Sequence, residues 1–218
     1  MRHNPSTVVV LAGRPGEQAL AAVGRSLNVV LVRPEDQPPG SGSAGPGSAG
    51  PGSAGGELET AARALRRAAG ITAPYVLVAA DPLRAVADAW RDMWSLAAAP
   101  RGTDEFELRA AEALAAWRGR QFELPDYYLV LAEQAAAGEA PQAPDFYLGP
   151  LRAVRPNRVA VAAGAEPAAQ AAAVLAELGT LRHGPWWPSL DELFRTARGF
   201  YPGALAESPS AGQTTLLS

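Results

Sequence analysis

The chain of 218 residues contains no cysteine and no lysine, and only two histidines, His3 and His183. Each absence removes a class of chemistry. Without a thiol there is no cysteine nucleophile, no disulfide, no iron–sulfur cluster and no thiolate zinc site. Without lysine there is no Walker-type phosphate loop, whose lysine binds the β- and γ-phosphates, and no Schiff base for pyridoxal phosphate or an aldolase. Two imidazoles are too few for a histidine-rich metal centre, so we expect no metal and no cofactor. Strong charge of one sign is also missing. Nineteen arginines stand against 22 acidic residues, a net charge of −3, whereas a chain that neutralises nucleic-acid phosphates usually carries a basic excess. No run approaches the ~20 apolar residues that cross a bilayer. The apolar run near the amino terminus, Val8–Gly13, is too short for a signal peptide and has no convincing cleavage site. The expectation is a cytoplasmic protein that binds neither nucleic acid nor membrane.

What the sequence has in abundance is alanine, 47 residues, with 22 glycines and 20 prolines. This bias towards residues with GC-rich codons suggests a high-GC bacterium. Residues 40–56, GSGSAGPGSAGPGSAGG, repeat the unit GSAGP and offer nothing to bury against the entropy of ordering. As a Gly-rich coil, such a stretch spans roughly 20–25 Å. We read a flexible linker over 38–56, interrupting a single α/β domain over 1–205, and a disordered polar tail over 206–218. The stretch before the linker is too short to fold alone.

The remaining pattern alternates strands and helices. TVVVL (7–11), NVVLV (28–32), YVLVAA (75–80), YYLVL (127–131) and RVAVAA (158–163) are continuous apolar runs, the mark of strands buried on both faces. Helices are expected over 17–25, 57–69, from Asp81, over 103–119, over 166–178 and from the capping box at Ser189 to Gly199. Leu83, Val86, Trp90, Met93 and Trp94 share one face of the third helix, and Phe106, Ala110, Leu114 and Trp117 one face of the fourth. The fold class is therefore α/β: a layered domain with a mostly parallel sheet of about five strands flanked by helices, with strand order unspecified.

Several positions are candidates for function. Gly13 opens the turn Gly13-Arg14-Pro15-Gly16 after the first strand, where nucleotide-binding α/β folds cradle phosphate. Pro15 removes a donor there and Glu17 would repel a phosphate, so an ordinary turn is the stronger reading. Asp81 ends a strand, where such folds place functional side chains, but Pro82 after it favours a helix cap. Two pentapeptides echo each other, Pro125-Asp126-Tyr127-Tyr128-Leu129 and Pro144-Asp145-Phe146-Tyr147-Leu148. Their carboxylates could divide acid and base roles, yet element boundaries, the first entering a strand and the second a helix, explain them better. In the loop 182–188, Trp186 and Trp187 beside His183 could hold a sugar, a nucleobase or a partner's side chain, or close the core under the last helix. Arg152, Arg155 and Arg158 form either a cationic patch for phosphate or carboxylate or a solvated helix end. No G-x-S-x-G elbow supports a serine triad.

Two functions follow. The first is a non-catalytic domain that meets a protein partner through the 182–188 loop. The second is a small-molecule (nucleotide or sugar) binding protein, or an enzyme using Asp, Glu and Arg, with its site at the strand carboxyl ends near Gly13, Asp81 and His183.

Overall fold

The computed structural model describes residues 6–13, 17–34, 54–94, 99–132 and 145–200. They form the α/β layers that the apolar runs predict. Five strands, β1 (Thr7–Ala12), β2 (Val29–Val32), β3 (Tyr75–Val78), β4 (Tyr127–Ala132) and β5 (Val159–Ala163), join in one sheet in the order β2-β3-β1-β4-β5. Every pairing is parallel. The helices are α1 (Glu17–Val23), α2 (Ala54–Ala69), α3 (Arg84–Met93), α4 (Ala99–Arg118), the short α5 (Arg152–Val154), α6 (Pro167–Leu178) and α7 (Leu190–Gly199). A wide helical turn, Tyr147–Leu151, precedes α5, and a 3-10 turn, Pro156–Arg158, follows it. The predicted linker and tail lie outside the described residues, except that residues 54–56 already belong to α2.

The strand order explains which helix covers which face. The step from β1 to β2 runs one way across the sheet, and every later step between strands runs the other way. With crossovers of one hand, steps in opposite directions must put their helices on opposite faces. The core divides accordingly. Val9, Leu11, Leu77 and Leu129 pack with Leu20 and Val23 of α1 and Val174 and Leu178 of α6. Val8, Val10, Val76, Val78 and Tyr128 pack with α2, α3, α4 and α7. Both faces are therefore covered, which is why the strands read as unbroken apolar runs rather than alternating ones.

One indole and two phenyl rings lock the larger face. Trp90 of α3 is fully buried and donates from Nε1 to the Ala197 carbonyl at 2.9 Å, tying α3 to α7. Phe106 of α4 meets Phe194 of α7 edge-on at 6.4 Å. The start of α7 follows the expected capping box in its first half: Ser189 is extended, and its hydroxyl accepts the Glu192 N–H at 3.3 Å. At α3 the boundary differs from the expectation. The helix begins at Arg84 with Leu83 as its N-cap, because Asp81 closes a tight turn by accepting the Leu83 N–H at 2.9 Å rather than capping the helix itself.

Candidate functional site at the strand carboxyl ends

The connection leaving β1 runs opposite to those leaving its neighbours β3 and β4, and open parallel sheets hold ligands at such a switch point, beyond the strand carboxyl ends. A pocket of about 460 Å³ lies there, within the range of small-molecule sites. Its lining includes Leu11 and Gly13 after β1, Ala79 and Asp81 after β3, Val130 and Leu131 of β4, and Asp145, Phe146 and Tyr147. Glu17 of α1 and Arg84, Asp88 and Arg91 of α3 complete the polar part.

Gly13 makes this crevice by default of a side chain. Its φ is +109°, and a Cβ would stand 3.1 Å from the Leu131 carbonyl oxygen, so both conformation and space require glycine. Arg14, Pro15 and Gly16, the rest of that turn, lie outside the described residues. Glu17 opens α1 and pairs with Arg33 at 2.6 Å.

Asp81 is the chemical centre. Oδ2 accepts the Tyr147 hydroxyl, and Oδ1 accepts the Leu83 N–H. Among the described residues no ion pair involves Asp81; the Arg84 charge acts on it only from a distance. Burial therefore dominates and pushes its pKa from 3.8 up to about 6, against the opposing pull of the Tyr147 and Leu83 hydrogen bonds. A second phenol, Tyr128 of β4, is fully buried with its ring 5.6 Å from that of Tyr147. Among the described residues its hydroxyl has no hydrogen-bond partner of good geometry, yet it lies close enough to Asp81 for the carboxylate to add to the upward push that burial gives its own pKa. Tyr147 is pushed up for the same two reasons.

Tyr128 and Tyr147 escaped the sequence reading, although a signal was present. They are the fourth residues of the two echoing pentapeptides. The repeat thus meets through its tyrosines and not its carboxylates. Asp126 Oδ2 accepts the Val8 N–H at 2.7 Å and begins the pairing of β4 with β1. Asp145 Oδ1 accepts the Tyr147 and Leu148 N–H groups at 2.7 and 3.0 Å and starts the wide turn. Both aspartates stand at element boundaries, as expected.

The structure does not bring the remaining candidates to this pocket. The 182–188 loop lies at the opposite, amino ends of β4 and β5. The Tyr127 hydroxyl donates to the Arg182 carbonyl at 3.2 Å, and His183 is exposed in this loop. His183 is therefore separated from Gly13 and Asp81, with which the sequence grouped it. Trp187 is 6% exposed and donates from Nε1 to the Pro125 carbonyl at 2.7 Å, closing the core beneath α7. Trp186 is 46% exposed. With Trp187, Trp117, Phe122 and Arg120 it lines a groove of about 680 Å³.

The arginine triplet is not one patch, and only Arg152, exposed in α5, fits the expected solvated helix end. Arg158 is buried and donates to the carbonyls of Gly184 (2.8 Å), Pro185 (3.1 Å) and Asp126 (3.1 Å). Its guanidinium also lies 4.7 Å from the Trp186 ring centroid and 5.2 Å from that of Tyr127. Arg155 donates to the Trp186 carbonyl at 2.5 Å, while Arg152 is exposed. Arg158 serves the loop because a planar fork of donors can take several carbonyls at once.

Among the described residues no cluster of His, Asp and Glu could hold a metal ion, and no helix is long and apolar enough to cross a membrane. Compared with family models, curated proteins and solved structures, the chain has no significant match to any.

Proposed function

We propose that the chain binds a small hydroxyl-bearing molecule, of sugar-like polarity, in the pocket at the carboxyl ends of β1, β3 and β4, with Asp81 as the group that accepts its proton or hydrogen bond. The observation that carries this reading is a half-buried carboxyl that makes no ion pair among the described residues and faces two phenols. Such a group costs stability, and sites of this kind cluster where function needs them. A pKa of about 6 lets Asp81 exchange a proton near neutral pH, as a general acid or base must. The same site therefore serves a binding protein or an Asp-dependent enzyme. Nucleotide phosphates suit it less well, since Glu17, Asp81, Asp88 and Asp145 all line the pocket. Native mass spectrometry of protein purified gently from its own cells tests the reading. The expected result is an excess of a few hundred daltons over the denatured mass, lost in Asp81→Asn; an excess indifferent to that substitution counts against it.

A second reading, a protein partner at the amino ends, is favoured by one observation. Trp186 offers a half-exposed indole, backed by Arg158, beside an aromatic groove, and Trp and Arg dominate interface hot spots. In that case the excess mass is a whole polypeptide and Trp186→Ala removes it.

A further inference from the structure

Resting on the small-molecule reading, the charge layout of the same pocket says more about its ligand. Arg84, Asp88 and Arg91 follow one another at positions i, i+4 and i+7 of α3, one stripe of the helix, and all three line the pocket. Arg91 pairs with Asp88 at 2.6 Å and Arg84 lies 3.8 Å from its other oxygen. Two guanidinium groups thus share one carboxylate, which leaves one positive charge in surplus and most of their donors unused by Asp88. Across the pocket the Glu17–Arg33 pair is neutral within itself. Asp145 spends one carboxylate oxygen on two backbone N–H groups, and Asp81 takes the Tyr147 hydroxyl and the Leu83 N–H. The pocket is therefore dipolar: hydrogen-bond acceptors of acidic character on the side of β3 and the 145–147 turn, cationic donors along α3.

We infer that the ligand carries an anionic group, a carboxylate or a phosphate, which Arg84 and Arg91 bind, together with a hydroxyl that donates to Asp81. A planar guanidinium pair is suited to that anion, because it can present parallel donors to two oxygens. The anion would draw on the guanidinium donors that Asp88 leaves unused, whereas a longer phosphate chain would extend to Asp81, Asp145 and Glu17.

Four probes built on one hexose skeleton separate the outcomes: glucose, gluconate, glucose 6-phosphate and glucosamine, titrated into the isotope-labelled full chain while the amides of Gly13, Asp81 and Tyr147 are followed by NMR. The expected result is that gluconate or glucose 6-phosphate shifts these amides with an apparent affinity about ten-fold or more above that of glucose and glucosamine, the size of one charge-assisted contact. Which anion does so tells carboxylate from phosphate. Arg91→Gln, and separately Arg84→Gln, should bring the anionic probe down to the level of glucose. Equal or tighter binding of glucose or glucosamine, or a preference that survives both substitutions, overturns the inference while leaving the pocket reading standing. If none of the four shifts those amides, the small-molecule reading of the pocket falls, and this one with it.

Discussion

At the amino ends of β4 and β5 a buried guanidinium, Arg158, donates to three carbonyls and lies against two aromatic rings. At the carboxyl ends of β1 and β3 a carboxyl, Asp81, is half-buried with one phenol bonded to it, another facing it, and no ion pair among the described residues. Both ends place a charged side chain against aromatic rings, and they treat it oppositely. Arg158 is satisfied by the fold and holds the 182–188 loop in place. Asp81 is left short of what an ionised carboxylate needs, and it faces a pocket. A satisfied buried charge contributes to stability; an undersupplied one is a reserve on which a ligand can draw. This difference is what supports the proposal of a binding site at the carboxyl ends, with Arg158 in a structural role at the amino ends.

The largest expected effect would break the structural half of this comparison. Arg158→Ala removes the guanidinium donors to the Gly184, Pro185 and Asp126 carbonyls and the cation over the Trp186 ring. We expect a loss of roughly 3 kcal/mol in urea denaturation, since hydrogen bonds to a charged group contribute about 1.5–3 kcal/mol and stranded acceptors cost more. Arg158→Lys should recover less than half, because an ammonium cannot spread over three carbonyls in one plane. A loss below about 1 kcal/mol would mean that the Trp187, Arg155 and Tyr127 contacts hold the loop without Arg158.

The functional half makes the opposite prediction for Asp81→Asn. The folded-state pKa is raised, from 3.8 to about 6, so the native protein holds a proton that the unfolded chain has released. Stability must then fall as pH rises from about 4 through about 6, and stay level above that. Removing the charge should therefore stabilise the protein by up to about 3 kcal/mol at pH 8 and by nothing near pH 4. Chemical denaturation of both proteins across that range checks it. A variant less stable than the parent at pH 8 would show that the ionised carboxylate is better satisfied than its surroundings suggest.

How far the sequence exposed these two ends follows from what each depends on. The five strands were legible because burial on both faces leaves an unbroken apolar run, and the start of α7 because Ser189 and Glu192 are neighbours in the chain. Asp81 and Gly13 were legible as strand-end residues. Their partners were not. Tyr147 meets Asp81 across 66 residues, and Tyr128 joins them only because β4 pairs with β1 on the side away from β3, an order that no local pattern specifies. Arg158 looked like any arginine near a helix end, since nothing nearby in sequence announces that Gly184 and Pro185 return to it. His183 was drawn to Asp81 by its chemistry alone, with no topology to place it.

The smallest effects sharpen the reading of the carboxyl end, because its two phenols differ by one hydrogen bond. Tyr147→Phe removes the donor that favours the charged form of Asp81, so the Asp81 pKa should climb above about 6, read from the pH dependence of its carboxyl carbon by NMR. Tyr128→Phe removes a hydroxyl with no hydrogen-bond partner of good geometry among the described residues, and stability should change by less than about 1 kcal/mol, because at most a weak contact with Asp81 is lost and a buried polar atom disappears. Its effect should appear elsewhere. Because that hydroxyl faces Asp81, Tyr128→Phe should weaken binding of the proposed ligand several-fold while leaving the unliganded protein's stability nearly as it was. A substitution that lowers stability by 2 kcal/mol or more and leaves binding untouched would make Tyr128 part of the core and reduce the site to Asp81, Tyr147 and the arginines of α3.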